Sequence, residues 1–168
     1  VESVKYWASE YHIDGFRFDL MGIHDIETMN EVSAELRKLH PSIFVYGEGW
    51  TAGDSPLPAE QRALKHNVLQ LDHVAAFSDD VRDAMKGHVF QPEQKGFVSG
   101  LPGLEESLKF GIVASTQHPQ VDYNKVNYSK APWAKSPAQA IAYASCHDNH
   151  TLWDRLTESC PEAGEKER

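Results

Sequence analysis

Asp19 lies two residues after Arg17 in the run GFRFDL, residues 15–20. Successive side chains of a strand point to opposite faces, so Phe16, Phe18 and Leu20 share one face and Arg17 and Asp19 the other. A buried parallel strand is usually apolar throughout, so an Arg and an Asp on one face need a reason. Either they form a self-satisfying ion pair that stabilises little, or the guanidinium keeps a nucleophilic carboxylate ionised. Glu48 stands between Gly47 and Gly49 in YGEGW, residues 46–50, with Trp50 next to it. Glycines there imply open space around the carboxylate, where a ligand can approach the backbone. An indole offers a flat apolar face of the kind sugars stack on; the alternative is a turn with an incidental Glu. Asp148 follows an apolar run within His147-Asp148-Asn149-His150. The two histidines lack the His-x-x-x-His spacing of zinc hydrolases. A hydrogen-bonding set for hydroxyls is the simpler reading, with a helix N-cap role for Asp148 or Asn149 as the alternative.

Taken together, the three carboxylates match what cleaving a glycosidic bond requires. In a retaining mechanism one carboxyl attacks the anomeric carbon and another protonates the leaving oxygen. A third can hold hydroxyls and stabilise the positive transition state.

The elements that would carry these residues alternate between strand and helix, the pattern of a parallel α/β fold. A helix opens the chain in VESVKYWASEYH, and residues 15–20 form the first strand. Asp25 is placed to cap a second helix in which Ile26, Met29, Val32, Leu36 and Leu39 recur at helical spacing, before Pro41 stops it. Strands are expected at residues 43–49, 74–80 and 141–148, and helices around residues 59–67, 81–86 and 104–113 and from Leu152 onward. Residues 96–103 hold three glycines and a proline, and residues 123–137 read as irregular. A doubly wound sheet fits the same count. Carboxylates at the ends of three strands favour a (β/α)₈ barrel, whose active site is built from the C-terminal ends of several strands. Such a barrel needs about 250 residues. Residues 1–168 are therefore expected to be a fragment of one catalytic barrel domain.

Composition narrows the partners. Sixteen Lys and Arg against 25 Asp and Glu give a net charge of −9. Without basic runs, nucleic acid and anionic membrane surfaces are poor partners, and no apolar stretch is long enough to span a bilayer. Cys146 and Cys160 are too few for a disulfide framework and are read as unpaired. The chain opens on Val1 inside a helix, so one or both ends of a longer protein are expected to be absent, any address signal with them. Alone, residues 1–168 are expected to be aggregation-prone or molten, and inactive.

DGFRFDLMG (residues 14–22), YGEGW and SCHDNHTLWD (residues 145–154) resemble three sequence regions of the α-amylase superfamily, glycoside hydrolase family 13. The GEGW form, LMGIHD and NYSKAPWAKSP (residues 127–137) are similar to those of type I pullulanases. The resemblance covers almost the whole chain. It implies a fragment holding strands four to seven of the barrel, with Asp19 as nucleophile, Glu48 as acid/base and Asp148 as transition-state stabiliser. It implies sugar contacts from Arg17 and His147, with Trp50 lining the cleft. It implies hydrolysis of α-1,6 branch linkages in pullulan, starch or glycogen, so the expected partner is an α-glucan. The rivals are α-1,4 cleavage or glucan transfer within the same superfamily, and a non-catalytic glucan-binding relative. No cofactor is required; calcium occurs in parts of the superfamily, but no calcium loop is matched here.

Overall fold

The computed structural model describes residues 1–168, which form two compact units. The first comprises residues 1–77 and 133–141, the second residues 78–132 and 142–168.

The first unit holds α1 (Glu2–Tyr11), β1 (Gly15–Phe18), α2 (Ile26–Leu39), β2 (Phe44–Gly47), β3 (Val74–Phe77) and β4 (Ala140–Ile141). The strands make one sheet in the order β1-β2-β3-β4, every pair parallel. The α/β class read from the sequence is the one observed. Helix α2 forms for the expected reasons. Asp25 caps it, accepting from the Thr28 amide at 2.6 Å and the Thr28 hydroxyl at 2.8 Å. Met29, Val32, Ser33 and Leu36 are its buried stripe, while Arg37 and Lys38 lie in its last turn, where cations suit the dipole. Val45, Val74, Ala75 and Ala76 fill the sheet side of the core.

The Thr28 bonds hold the Asp25 carboxyl below its ordinary range. A value lower in the folded than in the unfolded chain stabilises above the unfolded value, about pH 4, and fades as pH falls through the folded one. Asp25→Ala is therefore expected to cost about 1 kcal/mol at neutral pH, and less in acid. Thermal melts of the two proteins at pH 7 and pH 3 check this; equal losses at both would exclude a charged cap.

Three elements depart from expectation. No α-helix forms over residues 59–67. Short 3₁₀ turns at Ala59–Gln61 and Lys65–Gln70 replace it. Between them the chain turns extended to pair with the α2 entry: Asp25 and Arg62 form an antiparallel bridge, and the Ala63 amide donates to the His24 carbonyl at 2.9 Å. The third strand stops at Phe77, because Asp79 and Asp80 open the next helix instead of closing the strand. The fourth strand keeps only Ile141 of its expected residues, plus Ala140. Its partners are Ala76 and Phe77; once β3 ends, a parallel strand beyond Ile141 has no ladder to join on that side.

The second unit holds α3 (Asp79–Lys86), α4 (Glu105–Ile112) and α5 (Leu152–Ser159), joined by long irregular segments. Gly111 of α4 lies against Val81 of α3 so closely that a Cβ would collide with it. Helix α3 buries Asp80, Arg82, Asp83 and Lys86, and each has a partner. Asp80 accepts from the Ser129 amide and hydroxyl at 2.8 and 2.7 Å. Asp83 accepts from Arg82 Nε at 2.6 Å and the Tyr128 hydroxyl at 2.7 Å. Helix α5 starts on a reciprocal cap between Thr151 and Asp154, so neither Asp148 nor Asn149 is its N-cap. Cys146 and Cys160 are free thiols.

Candidate active site

Parallel pairing places Arg17 opposite Tyr46 and Phe18 opposite Gly47. One step of alternation further, Asp19 and Glu48 leave the strand ends on the face that Arg17 and Tyr46 share. The Arg17 guanidinium bridges the two carboxylates: Nη1 donates to Asp19, and Nη2 donates to Glu48 Oε1 at 2.6 Å. One oxygen of Asp19 lies within 4.8 Å of one of Glu48. Phe77 lies beneath the guanidinium, whose carbon is 5.7 Å from the ring centroid, an arrangement that favours the cation. Burial pulls the Arg17 value down, but the Asp19 hydrogen bond and the Glu48 charge outweigh it and leave it raised.

The two carboxylates differ in setting. Glu48 is 3% exposed, and its Oε2 accepts from the Leu20 amide at 2.7 Å. The Asp19 side chain is 61% exposed. Leu20 reaches Glu48 because its backbone is left-handed, with φ of 45°. That conformation is uncommon for a residue with a branched side chain, and such strain concentrates at functional sites. No local pattern in the residues around Leu20 signals this amide.

The glycines beside Glu48 correct an expectation. They do not leave space for a ligand. A Cβ on Gly47 would meet the Phe18 carbonyl at 2.6 Å and Met21 Cβ at 2.8 Å; one on Gly49 would meet the Lys65 amide nitrogen at 2.6 Å. The chain itself occupies that space, and glycine is needed so that residues 18–21 and 65 can pack against β2. Trp50 is half-buried, and its carbonyl accepts from the Gly22 amide at 3.1 Å.

His147 and Asp148 belong to the second unit, where they lie side by side, His147 Nε2 being 3.6 Å from Asp148 Oδ1. Both are exposed. Asp148 was expected at a strand end, but it lies seven residues beyond β4, in a segment without helix or strand, for the pairing reason given above. A concavity of the first unit, about 1220 Å³, runs along α2 from Asp25 to Lys38 and contains none of the candidate residues.

No protein-family model matches the chain. Curated proteins and solved structures do. A pullulanase of Bacillus subtilis strain 168 is 35% identical over 167 residues, 99% of this chain and 22% of its own length. The crystal structure of a pullulanase from Paenibacillus barengoltzii in complex with maltohexaose and α-cyclodextrin superimposes with a TM-score of 0.86 at 43% identity, over 98% of this chain and 24% of that one. A type I pullulanase from Bacillus subtilis complexed with maltose gives a TM-score of 0.87 at 36% identity, over 98% and 22%. The α/β arrangement is thus one found within pullulanases. The chain is homologous to pullulanases along nearly its whole length, and it spans less than a quarter of the length of these relatives.

Proposed function

We propose that residues 1–168 are part of the catalytic (β/α)₈ barrel of a debranching glycoside hydrolase, corresponding to strands four to seven, which cleaves α-1,6 linkages in pullulan, starch or glycogen with retention. The observation that carries this reading is the pair of carboxylates clamped by one guanidinium. Retaining enzymes keep their carboxyl groups about 5–5.5 Å apart; inverting enzymes need about 6.5–9.5 Å to admit a water. One oxygen of each carboxylate lies within 4.8 Å of one of the other, nearer the shorter separation than the longer.

In this reading Asp19, the accessible carboxylate, attacks the anomeric carbon, and the Arg17 hydrogen bond aims it. Glu48 protonates the departing glycosidic oxygen and then activates the water that releases the product. Both Glu48 oxygens accept hydrogen bonds here, as a carboxylate does. This geometry therefore corresponds to the base half of the cycle. For the acid half, one oxygen must exchange its donor for a proton. Asp148 stabilises the oxocarbenium-like transition state, Arg17 and His147 bind the sugar at the cleaved position, and Trp50 lines the cleft. These roles are carried over from the superfamily residue by residue. The partner is an α-glucan, and carboxylates and water suffice for the reaction, so it draws on no cofactor.

Digestion of pullulan by the full-length protein tests the proposal, with products followed by NMR. Maltotriose units released with α configuration are expected. Cleavage of linear amylose but not pullulan would point to the α-1,4 rival, and binding without cleavage to a non-catalytic relative.

A further inference from the structure

Residues 142–150 carry His147 and Asp148, yet they contain no helix or strand. A segment that must hold a charge against a transition state needs rigidity from elsewhere, because positioning to a fraction of an ångström is what such a group contributes. Within the second unit, α3 reaches this segment twice. Arg82 Nη1 donates to the Tyr143 hydroxyl at 2.9 Å, with its guanidinium carbon 5.8 Å from that ring's centroid. Lys86 Nζ donates to the His150 carbonyl at 2.7 Å. Arg82 and Lys86 are four residues apart and so share one face of the helix. Their two acceptors bracket the segment, with His147 and Asp148 between them.

The arrangement is a costly one if its purpose is only to fill space. Lys86 is 2% exposed. Burial lowers its value, and the neighbouring Arg82 charge lowers it further. Two like charges at this spacing repel, and an apolar side chain of similar length would fill the volume without desolvating a cation. What an apolar residue could not do is hold a carbonyl at a fixed point. Arg82 is itself held by Asp83, which also accepts from Tyr128, so the donor that meets Tyr143 is braced from behind.

We propose that Arg82 and Lys86 are positioning residues, two cations on one face of α3 that pin the ends of the segment presenting His147 and Asp148 to the glucan. The proposal rests on the reading of Asp148 as transition-state stabiliser.

The test uses the full-length protein with four variants: Lys86→Met, Lys86→Arg, Tyr143→Phe and Asp148→Asn. Each is followed by kcat and KM on pullulan, by a thermal melt, and by amide hydrogen exchange across residues 145–150 and α3. Lys86→Met keeps the stem and loses the donor. It is expected to lower kcat by about 10²-fold, the loss a small misplacement brings, with little change in KM. Exchange protection should fall in residues 145–150 and persist in α3. Lys86→Arg should recover most of the rate. Tyr143→Phe, which removes one oxygen, should give a smaller loss of the same kind. If Lys86→Met and Tyr143→Phe turn over like the parent while Asp148→Asn is inactive, the proposal is overturned. It is likewise overturned if Lys86→Met fails to fold and the folded Tyr143→Phe variant keeps full activity and full protection. If Asp148→Asn keeps its activity, the assignment of Asp148 falls instead, and the exchange measurement decides whether the clamp exists.

Discussion

Asp19→Asn in the full-length protein is expected to lower kcat on pullulan by on the order of 10⁴–10⁶-fold, the range in which loss of a covalent nucleophile falls. An amide has the shape of the carboxylate but cannot form the glycosyl ester. Folding should be nearly unaffected. The Asp19 side chain is more exposed than buried, and ion pairs with exposed partners contribute at most about 1 kcal/mol. Arg17 also keeps Glu48 as a partner. A melt close to that of the parent together with near-zero turnover would place the loss in chemistry. A kcat within tenfold of the parent would remove Asp19 from the nucleophile role.

Glu48→Gln should divide substrates by their leaving groups. Natural glucans need protonation of the departing oxygen, and loss of general acid catalysis is worth about 10²–10⁴-fold. A glucosyl fluoride or an activated aryl glucoside needs little such help and should be spared in the step that forms the enzyme ester. Stability will also respond here, unlike at Asp19. Both Glu48 oxygens meet donors, Arg17 on one side and the Leu20 amide on the other. A glutamine must turn its NH₂ toward one of them and leave that donor without an acceptor, a cost of about 1–3 kcal/mol. Stopped-flow traces on both substrate classes, measured well below the melting temperature, separate the two effects. Equal losses on the two classes would mean that Glu48 is not the acid.

These two carboxylates were readable because a period of two is visible in a short sequence. Arg17 and Asp19 interrupt an apolar strand at one face, and parallel register then brings Glu48 to them. Helix α2 was readable for a similar reason, its apolar stripe and its cap both being local. The reach of β4 was not. Strand length there depends on how far β3 continues, and β3 ends because Asp79 opens a helix. The glycines flanking Glu48 were read as an opening when the chain itself fills the space, since what meets a missing Cβ is decided by residues distant in sequence, Lys65 among them. Helix α3 conceals the most. DDVRDAMK looks like a solvated surface helix, and only tertiary packing shows that its charges are buried and bonded to residues 128–150.

Gly47 and Gly49 bear on how a tolerance map of this region would look. In a saturation screen scored by glucan clearing, both would fall among the dead positions beside Asp19 and Glu48. Their failure would come from collision with the Phe18 carbonyl and the Lys65 backbone, not from lost chemistry. A library designer who treated every inactive position as contact with the sugar would draw the cleft too wide on this side. Pairing each inactive clone with a soluble-expression readout would sort the two kinds, since a lost carboxylate leaves the yield intact and a crowded glycine does not.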